Sequence, residues 1–406
     1  MAEGAVLIVG AGHAGFQLAA SLRQHGFAER VCLINDEAHL PYQRPPLSKA
    51  YLKGEGRPDS LMFRPDKFYR DQNIELIGDR AAFVDRAARR LLLASGAFLD
   101  YGHLVLATGA RNRLLDIPNA NLADVRYLRT LDESEALRQR IGSARHVVVI
   151  GAGFIGLEFA ATARLKGLEV DVVELGARVM ARSVTAEISD YFQARHSAAG
   201  IRIHLGVQAT AIEADGADVT GVSLSDGRHL PADLVVVGVG VLPNVELAAE
   251  AGLPVAAGII VDEQLLTPDP NISAVGDCAL FRSPRFGGSL RLESVQNATD
   301  HARCVAARLT GDARTYDGQP WFWSDQGDDK LQIAGLTTGY DRVVVRGDRE
   351  QRSFSAFCYK SGHLVGVESI NRAADHVFGR KILAMNRSIE PEQAADLSFD
   401  LKAALA

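Results

Sequence analysis

One pattern occurs twice in this chain and constrains its fold more than any other feature: an apolar strand, a GxGxxG turn, a helix, and a second strand ending in an acid. The first copy runs from residues 5–9 through Gly10, Gly12, Ala14 and Gly15 into FQLAASLRQHGF, then along residues 31–34 to Asp36 and Glu37. The second runs from residues 146–150 through Gly151, Gly153, Ile155 and Gly156 into LEFAATARLKG, then along residues 169–173 to Glu174. In such a turn the first glycine permits the tight bend, the second lets backbone approach a pyrophosphate, and the third lets helix pack on strand. The helix that follows turns unpaired N–H groups and its positive dipole end toward the phosphates. A lone glycine string is weak evidence, but each of these opens a helix after a strand. Each also has an acid about 20 residues past its last glycine, where a ribose hydroxyl would bind. Two dinucleotides therefore bind one chain.

Hydride chemistry pairs a resident carrier with an exchangeable donor, and FAD with NADH is the natural combination. In the first copy either Asp36 or Glu37 serves the ribose. In the second, Glu174 stands where a 2′-phosphate would go and repels it, which favours NADH over NADPH. Arg178 and Arg182, close behind in sequence, would offset part of that repulsion.

A repeat at this separation means two domains rather than a solenoid. After each copy a strand leaves through a glycine exit: LATGAR carries Thr108 and Gly109, and GVGVLPN carries Gly238, Val239 and Gly240. Residues 258–277 read as hairpin-like and residues 300–309 as a helix. From about Trp321 the pattern changes to strand-like runs at 342–345 and 354–359 and a helix at 373–385. The fold class is α/β, with two Rossmann-like dinucleotide-binding domains in a glutathione-reductase-like architecture plus a small α+β C-terminal domain. The expected bounds are 1–112 with 242–318 for the FAD domain, 113–241 for the NAD domain and 319–406 for the last.

The net charge of −6, with 23% charged residues, exerts no pull toward nucleic acid or an anionic membrane. The longest apolar runs are strand-sized, far short of the roughly 18 residues of a membrane helix. The N-terminus shows no basic region or cleavage site, so a cytoplasmic location is expected. Cys32, Cys278, Cys304 and Cys358 form no CxxC or CxxxxC pair, which points to reduced thiols rather than a redox dithiol. No metal site is called for.

GAGHAG, PYQRPPLSK at 41–49, LATGAR, GAGFIGLEFAA, GVGVLPN, AVGDCA and the late PWFWSDQ together resemble the FAD-dependent NADH–ferredoxin reductases of bacterial oxygenase systems, the putidaredoxin-reductase-like family, over essentially the whole chain. The same branch includes rubredoxin reductases and apoptosis-inducing-factor-like proteins. The resemblance implies that Asp36 binds the FAD adenosine ribose and that Arg44, Pro45 and Lys49 line the isoalloxazine. Backbone near Ala82 and the Arg129 side chain would hold the adenosine–pyrophosphate end, Asp277 the ribityl chain, and Val295 the flavin ring. On the nicotinamide side it implies Ile155, Glu158, Glu174, Arg182 and the 238–240 turn, with Lys49 and Glu158 beside the reacting ring.

Physical reasons stand beside these assignments. Arg129 is a bidentate phosphate donor or a solvated surface arginine. Lys49 follows two prolines that stiffen its loop, and is either a charge aimed at reduced flavin or a surface lysine. Trp321 and Trp323 either stack on flavin or fill the core. Disulfide reductases of this fold carry a CxxxxC pair where this chain reads PYQRPPLSKAYL, without a cysteine. Electrons would then leave the flavin directly, singly, to a [2Fe–2S] ferredoxin. An acidic ferredoxin would dock on a local basic patch, with Arg303, Arg308, Arg380, Lys381 and Lys402 as first candidates. Alternatives are a rubredoxin reductase, an NADH oxidase, or a redox-gated binding protein, the last disfavoured where it needs a basic DNA-binding surface.

Overall fold

Four consecutive apolar residues buried on both faces make a strand that a sheet covered on both sides accepts, and Val6–Val9 and Leu234–Val237 are both of this kind. A computed structural model describes residues 4–405. Residues 1–3 and 406, which carry part of the expectation about an export signal and the outermost domain bounds, lie outside the described residues. By its contacts the chain forms two units, the first from Met1–Arg44, Pro58–Arg111 and Val241–Gly318, the second from Pro45–Arg57, Asn112–Gly240 and Gln319–Ala406.

The first unit is built on a five-stranded parallel sheet in the order Ile272–Ala274, His103–Leu106, Val6–Val9, Val31–Asn35, Ile74–Gly78. Between Ile74–Gly78 and His103–Leu106 the chain makes a three-stranded antiparallel meander, Ala81–Asp85, Arg90–Leu93 and Phe98–Asp100. Helix His13–Gln24 follows the glycine turn and buries Leu18, Ala19 and Leu22. The hairpin-like reading of residues 258–277 holds only around the turn at 265–274, where Thr267 N–H donates to the carbonyl of Ile272 at 3.0 Å and Ala274 N–H to that of Leu265 at 3.3 Å beside the Leu266–Ser273 bridge. The flanking strands pair in parallel elsewhere, Ile259–Val261 with Ala279–Ser283 and Ile272–Ala274 with the large sheet. The late helix starts earlier than its apolar spacing suggests, at Val295, because Ser294 caps it by accepting the N–H of Asn297 at 3.1 Å.

The second unit repeats the plan. Its parallel sheet has the order Arg202–Leu205, Glu169–Glu174, His146–Ile150, Leu234–Val237, Val125–Tyr127. Its meander is Ala209–Asp215, Asp218–Leu224 and His229–Pro231. Both meanders bulge at the same place: register shifts lie between Ala81 and Phe83 and between Ala209 and Ala211. The bulge leaves Ala82 out of ladder pairing.

The C-terminal residues of this unit form a five-stranded antiparallel sheet in the order Trp321–Gln326, Asp329–Gly335, His363–Ile370, Ser353–Lys360, Arg342–Asp348. Helix Ala373–Ala384 covers one face around Phe357, Val367 and Ile382. Among the described residues no helix is long and apolar enough to cross a membrane, and no group of three or more His, Cys, Asp or Glu residues is arranged to hold a metal ion.

Candidate nucleotide sites and a buried charge pair

In the first unit Gly10 has φ +107°, and a Cβ there would run into the carbonyl of Ala107, so only glycine serves. A Cβ on Gly15 would strike the carbonyl of Gly10, whereas one on Gly12 would meet open space. Gly12 is also the N-cap of helix His13–Gln24 and offers no side-chain cap. Elsewhere, Thr130, Thr185 and Ser294 cap their helices with side-chain oxygens. An uncapped helix whose entry faces open space retains N–H donors for an anion. His13, in the turn, has its pKa lowered to about 4 by burial and then by the Arg44 charge, so its ring is neutral at pH 7.

The acids after the second strand divide their work. Glu37 accepts the Tyr42 hydroxyl and an Arg44 N–H, each at 2.5 Å, while Asp36 is exposed. Arg44 therefore sits at the end of the strand, on Glu37. Thr108 donates to the carbonyl of Asn244 at 2.7 Å, and Asn244 donates back to the carbonyl of Thr108 at 2.8 Å and through its N–H to Gly109 at 2.9 Å. This clasp ties LATGAR to the end of GVGVLPN, a partnership that sequence reading missed. Gly276, with φ +75°, packs on Ala14, its Cβ direction only 3.2 Å from the alanine methyl. Asp277 is thereby brought beside the first glycine turn, and Val295 opens the neighbouring helix. Gly276 N–H donates to His301 Nδ1 at 3.2 Å; burial lowers that histidine to about 3, which leaves Nδ1 free to accept.

Burial disfavours the thiolate form at all four cysteines. Burial first, then the Glu75 hydrogen bond, pushes Cys32 up to about 12, and burial raises Cys278, Cys304 and Cys358 as well. A thiolate nucleophile needs the opposite shift.

The second unit repeats the glycine geometry. Gly151 has φ +103°, with its missing Cβ against the carbonyl of Gly238, and Gly153 faces open space as an uncapped N-cap. Ile155 stands 43% exposed in the first helical turn, an apolar surface beside the open turn. Glu174 accepts the N–H of Ala152 at 2.8 Å and of Gly176 at 2.7 Å, two of the roughly four acceptor positions a carboxylate has. Gly238, Val239 and exposed Gly240 close the other side, with Gly240 accepting the N–H of Arg113 at 3.0 Å.

The two arginines behind Glu174 differ from each other. Arg178 is folded back onto the carbonyls of Ala181, Val184 and Thr185, so its N–H groups are committed to its own loop. Arg182 is exposed.

Lys49 and Glu158 meet in this same unit. Lys49 Nζ lies 2.7 Å from Glu158 Oε2, with side chains 16% and 2% exposed. Glu158 also accepts the Ser48 hydroxyl at 2.5 Å and the Ser324 hydroxyl at 2.6 Å, neither anticipated from sequence. Lys49 also donates to the carbonyl of Pro45 at 3.4 Å, so the Pro45–Ser48 turn that the prolines stiffen presents both Ser48 and Lys49 to one carboxylate. Arg129 is half-buried, and its backbone N–H is held by Glu133 of the Thr130 capping box at 2.7 Å. Trp321 and Trp323 are half-buried rather than in the core, their ring centroids 5.6 Å apart, and Trp321 lies beneath the Arg380 guanidinium.

Of the basic residues considered for docking, Arg308 is withdrawn. It is half-buried in the first unit and donates to the hydroxyl of Ser273 at 2.5 Å. Arg303, Lys381 and Lys402 are exposed, the first of them paired with Asp300.

Residues 4–302 match the pyridine nucleotide-disulphide oxidoreductase family model, and residues 321–405 the reductase C-terminal model. The chain is 52% identical over 402 residues to rhodocoxin reductase of Rhodococcus erythropolis, covering 99% of this chain and 94% of that protein. It is 40% identical over 407 residues to putidaredoxin reductase CamA of Pseudomonas putida, covering 99% and 96%. Among solved structures, the ferredoxin reductase for the CYP199A2 system from Rhodopseudomonas palustris matches with a TM-score of 0.99 and 74% identity, over 100% of both chains. The covalent putidaredoxin reductase–putidaredoxin complex matches with a TM-score of 0.97 and 40% identity, over 100% of this chain and 99% of that one.

Proposed function

The chain belongs to the pyridine nucleotide-disulphide oxidoreductase family, and from that premise we infer that it is an FAD-containing, NADH-dependent ferredoxin reductase serving a monooxygenase. The observation that carries the reading is the pairing of Lys49 with Glu158 at 2.7 Å in a stretch that has no cysteine. Disulfide-reducing members of the fold place a thiol pair there, and a chain that lacks one hands electrons to its acceptor without a protein sulfur. Bound FAD converts a two-electron hydride donor into two single-electron deliveries.

The chain's own residues bind and orient. The first turn, with uncapped N–H groups at Gly12 and the Glu37–Arg44 pair, holds the resident dinucleotide, with Asp36 beside it. Thr108, Gly109, Asp277 and Val295 extend that site, as does the unpaired backbone at Ala82. The family resemblance adds Pro45, Lys49, Arg129 and Trp323 as proposed contacts of the same dinucleotide. The second turn holds NADH: two acceptor positions on Glu174 remain for ribose hydroxyls, and Ile155 and the 238–240 turn border it. Lys49 keeps an ammonium beside the reacting ring, and Glu158 fixes where that ammonium points. No acid–base residue is assigned to the hydride step. The acceptor is a [2Fe–2S] ferredoxin, and a cytoplasmic location follows from its two partners and its reduced thiols.

Cytochrome c reduction by NADH, with and without added [2Fe–2S] ferredoxin, tests the reading. Stimulation of at least about tenfold by ferredoxin is expected, and an equal rate without it overturns the assignment.

A further inference from the structure

The PWFWSDQ strand holds two polar residues that the proposed function leaves unused. Phe322, Ser324 and Gln326 alternate onto one face of strand Trp321–Gln326, and Phe322 packs on Phe154 at the start of the second nucleotide helix, with ring centroids 4.7 Å apart. Ser324 is fully buried and Gln326 nearly so. Ser324 Oγ lies 2.6 Å from Glu158 Oε1, Gln326 Nε2 lies 3.3 Å from Ser324 Oγ, and Gln326 Oε1 lies 2.8 Å from His196 Nε2.

The direction of each bond follows by elimination. A carboxylate only accepts, so Ser324 gives its hydrogen to Glu158. Gln326 Nε2 faces two acceptors, Ser324 Oγ and Met180 Sδ at 3.3 Å, so the amide nitrogen belongs there and its oxygen faces the imidazole. That oxygen needs a donor, so His196 carries its hydrogen on Nε2. Burial lowers the His196 pKa, which keeps the ring neutral with that one N–H. Every donor in the series thus points toward Glu158.

We propose that His196, Gln326 and Ser324 form a one-way hydrogen-bond chain that positions the Glu158 carboxylate, and through it the Lys49 ammonium, for hydride transfer from NADH. Ser324 engages Oε1, which leaves Oε2 turned toward Lys49 and Ser48. Chains of bonds aligned in one direction polarise one another, so the outer members act on the carboxylate through Ser324 without touching it. The proposal rests on the reading of Lys49 and Glu158 as the charge pair beside the reacting ring.

The test compares Ser324→Ala, Ser324→Thr, Gln326→Leu and Lys49→Met in the FAD-loaded protein. Rapid mixing with NADH follows the flavin absorbance, and nitrogen chemical shifts report the tautomer of His196. Ser324→Ala is expected to slow reduction about tenfold at saturating NADH, the rate equivalent of one lost hydrogen bond to a charged group. Ser324→Thr is expected to restore most of that rate. Gln326→Leu is expected to slow reduction less and to shift the His196 signal away from the Nε2–H form. Reduction of Ser324→Ala at the parent rate while Lys49→Met is slow overturns the chain alone, as does an Nδ1–H tautomer of His196 in the parent. An unaffected Lys49→Met removes the charge-pair reading and the chain with it.

Discussion

The two nucleotide-binding copies share a sheet order, a bulged meander and a glycine turn, and they differ in what their acids do. In the first, Glu37 is held by Tyr42 and Arg44, so the acid at the end of the strand is fixed by an ion pair. In the second, Glu174 is bonded to the N–H groups of Ala152 and Gly176, which belong to the turn and the strand exit. On the proposed assignment, a dinucleotide entering the second site would share that carboxylate with the backbone. A preorganised clamp suits a resident carrier, and a self-satisfied turn suits a ligand that comes and goes. The second copy is also tied to the C-terminal sheet. Its Thr185 cap gives both N–H and hydroxyl to Glu368, the latter at 2.7 Å.

The comparison breaks most visibly at the first glycines. Gly10→Ala and Gly151→Ala each force a β-carbon into a carbonyl at positive φ, with about 1–3 kcal/mol from backbone strain alone. Their outcomes should separate: Gly10→Ala yields colourless protein that does not retain FAD, while Gly151→Ala stays yellow and loses reduction by NADH. Absorbance spectra and rapid mixing read both, and colourless Gly151→Ala protein would erase the distinction between resident and exchangeable sites.

Next in size is Lys49→Met, which leaves a carboxylate 2% exposed without its cation. Removing one partner of a buried pair costs about 3–5 kcal/mol, offset here by the Ser48 and Ser324 hydroxyls. We expect FAD content to be normal, the melting temperature lower, and flavin reduction slowed by on the order of tenfold or more. Differential calorimetry with rapid mixing checks this, and an unchanged reduction rate contradicts it.

Glu174→Ser should narrow the preference for NADH over NADPH by about 1–3 kcal/mol, tenfold and upward in relative kcat/KM. Equal use of both coenzymes by the parent would refute the role of Glu174.

The smallest effect concerns the tie to the C-terminal sheet. Burial first, against the Thr185 and Thr337 hydrogen bonds, raises Glu368 from 4.5 to about 7. The folded protein then binds a proton between those values that the unfolded chain lacks, so this group's contribution to stability falls as pH rises from about 4.5 to about 7. Glu368→Gln is expected to be more stable than the parent at pH 8 by about 1–2 kcal/mol, with the advantage shrinking toward pH 5. Urea melts at the two pH values measure it; a difference independent of pH would place the Glu368 proton elsewhere.

What the residues determine by themselves is local. GAGHAG and GAGFIG need only their own neighbours to form a strand, a turn and a helix, and Lys49 and Glu158 were legible through the motifs that surround them. Short-range spacing also shows that residues 41–52 lack a thiol. Other features depend on where the chain returns. The fifth strand of the first sheet comes from later in the chain, Ile272–Ala274, and that of the second from earlier, Val125–Tyr127, and short edge strands of three residues carry no periodicity to announce them. Asp36 and Glu37 are adjacent acids of equal promise until Tyr42 and Arg44 fold back onto one of them. Arg308 looks like a surface charge on its helix until Ser273 is found beneath it. Ser324 meets Glu158 across 166 residues of sequence and Glu368 meets Thr185 across 183. Side-chain hydrogen bonds act over about 3 Å, so which distant polar groups become partners is decided only when packing closes the space between them.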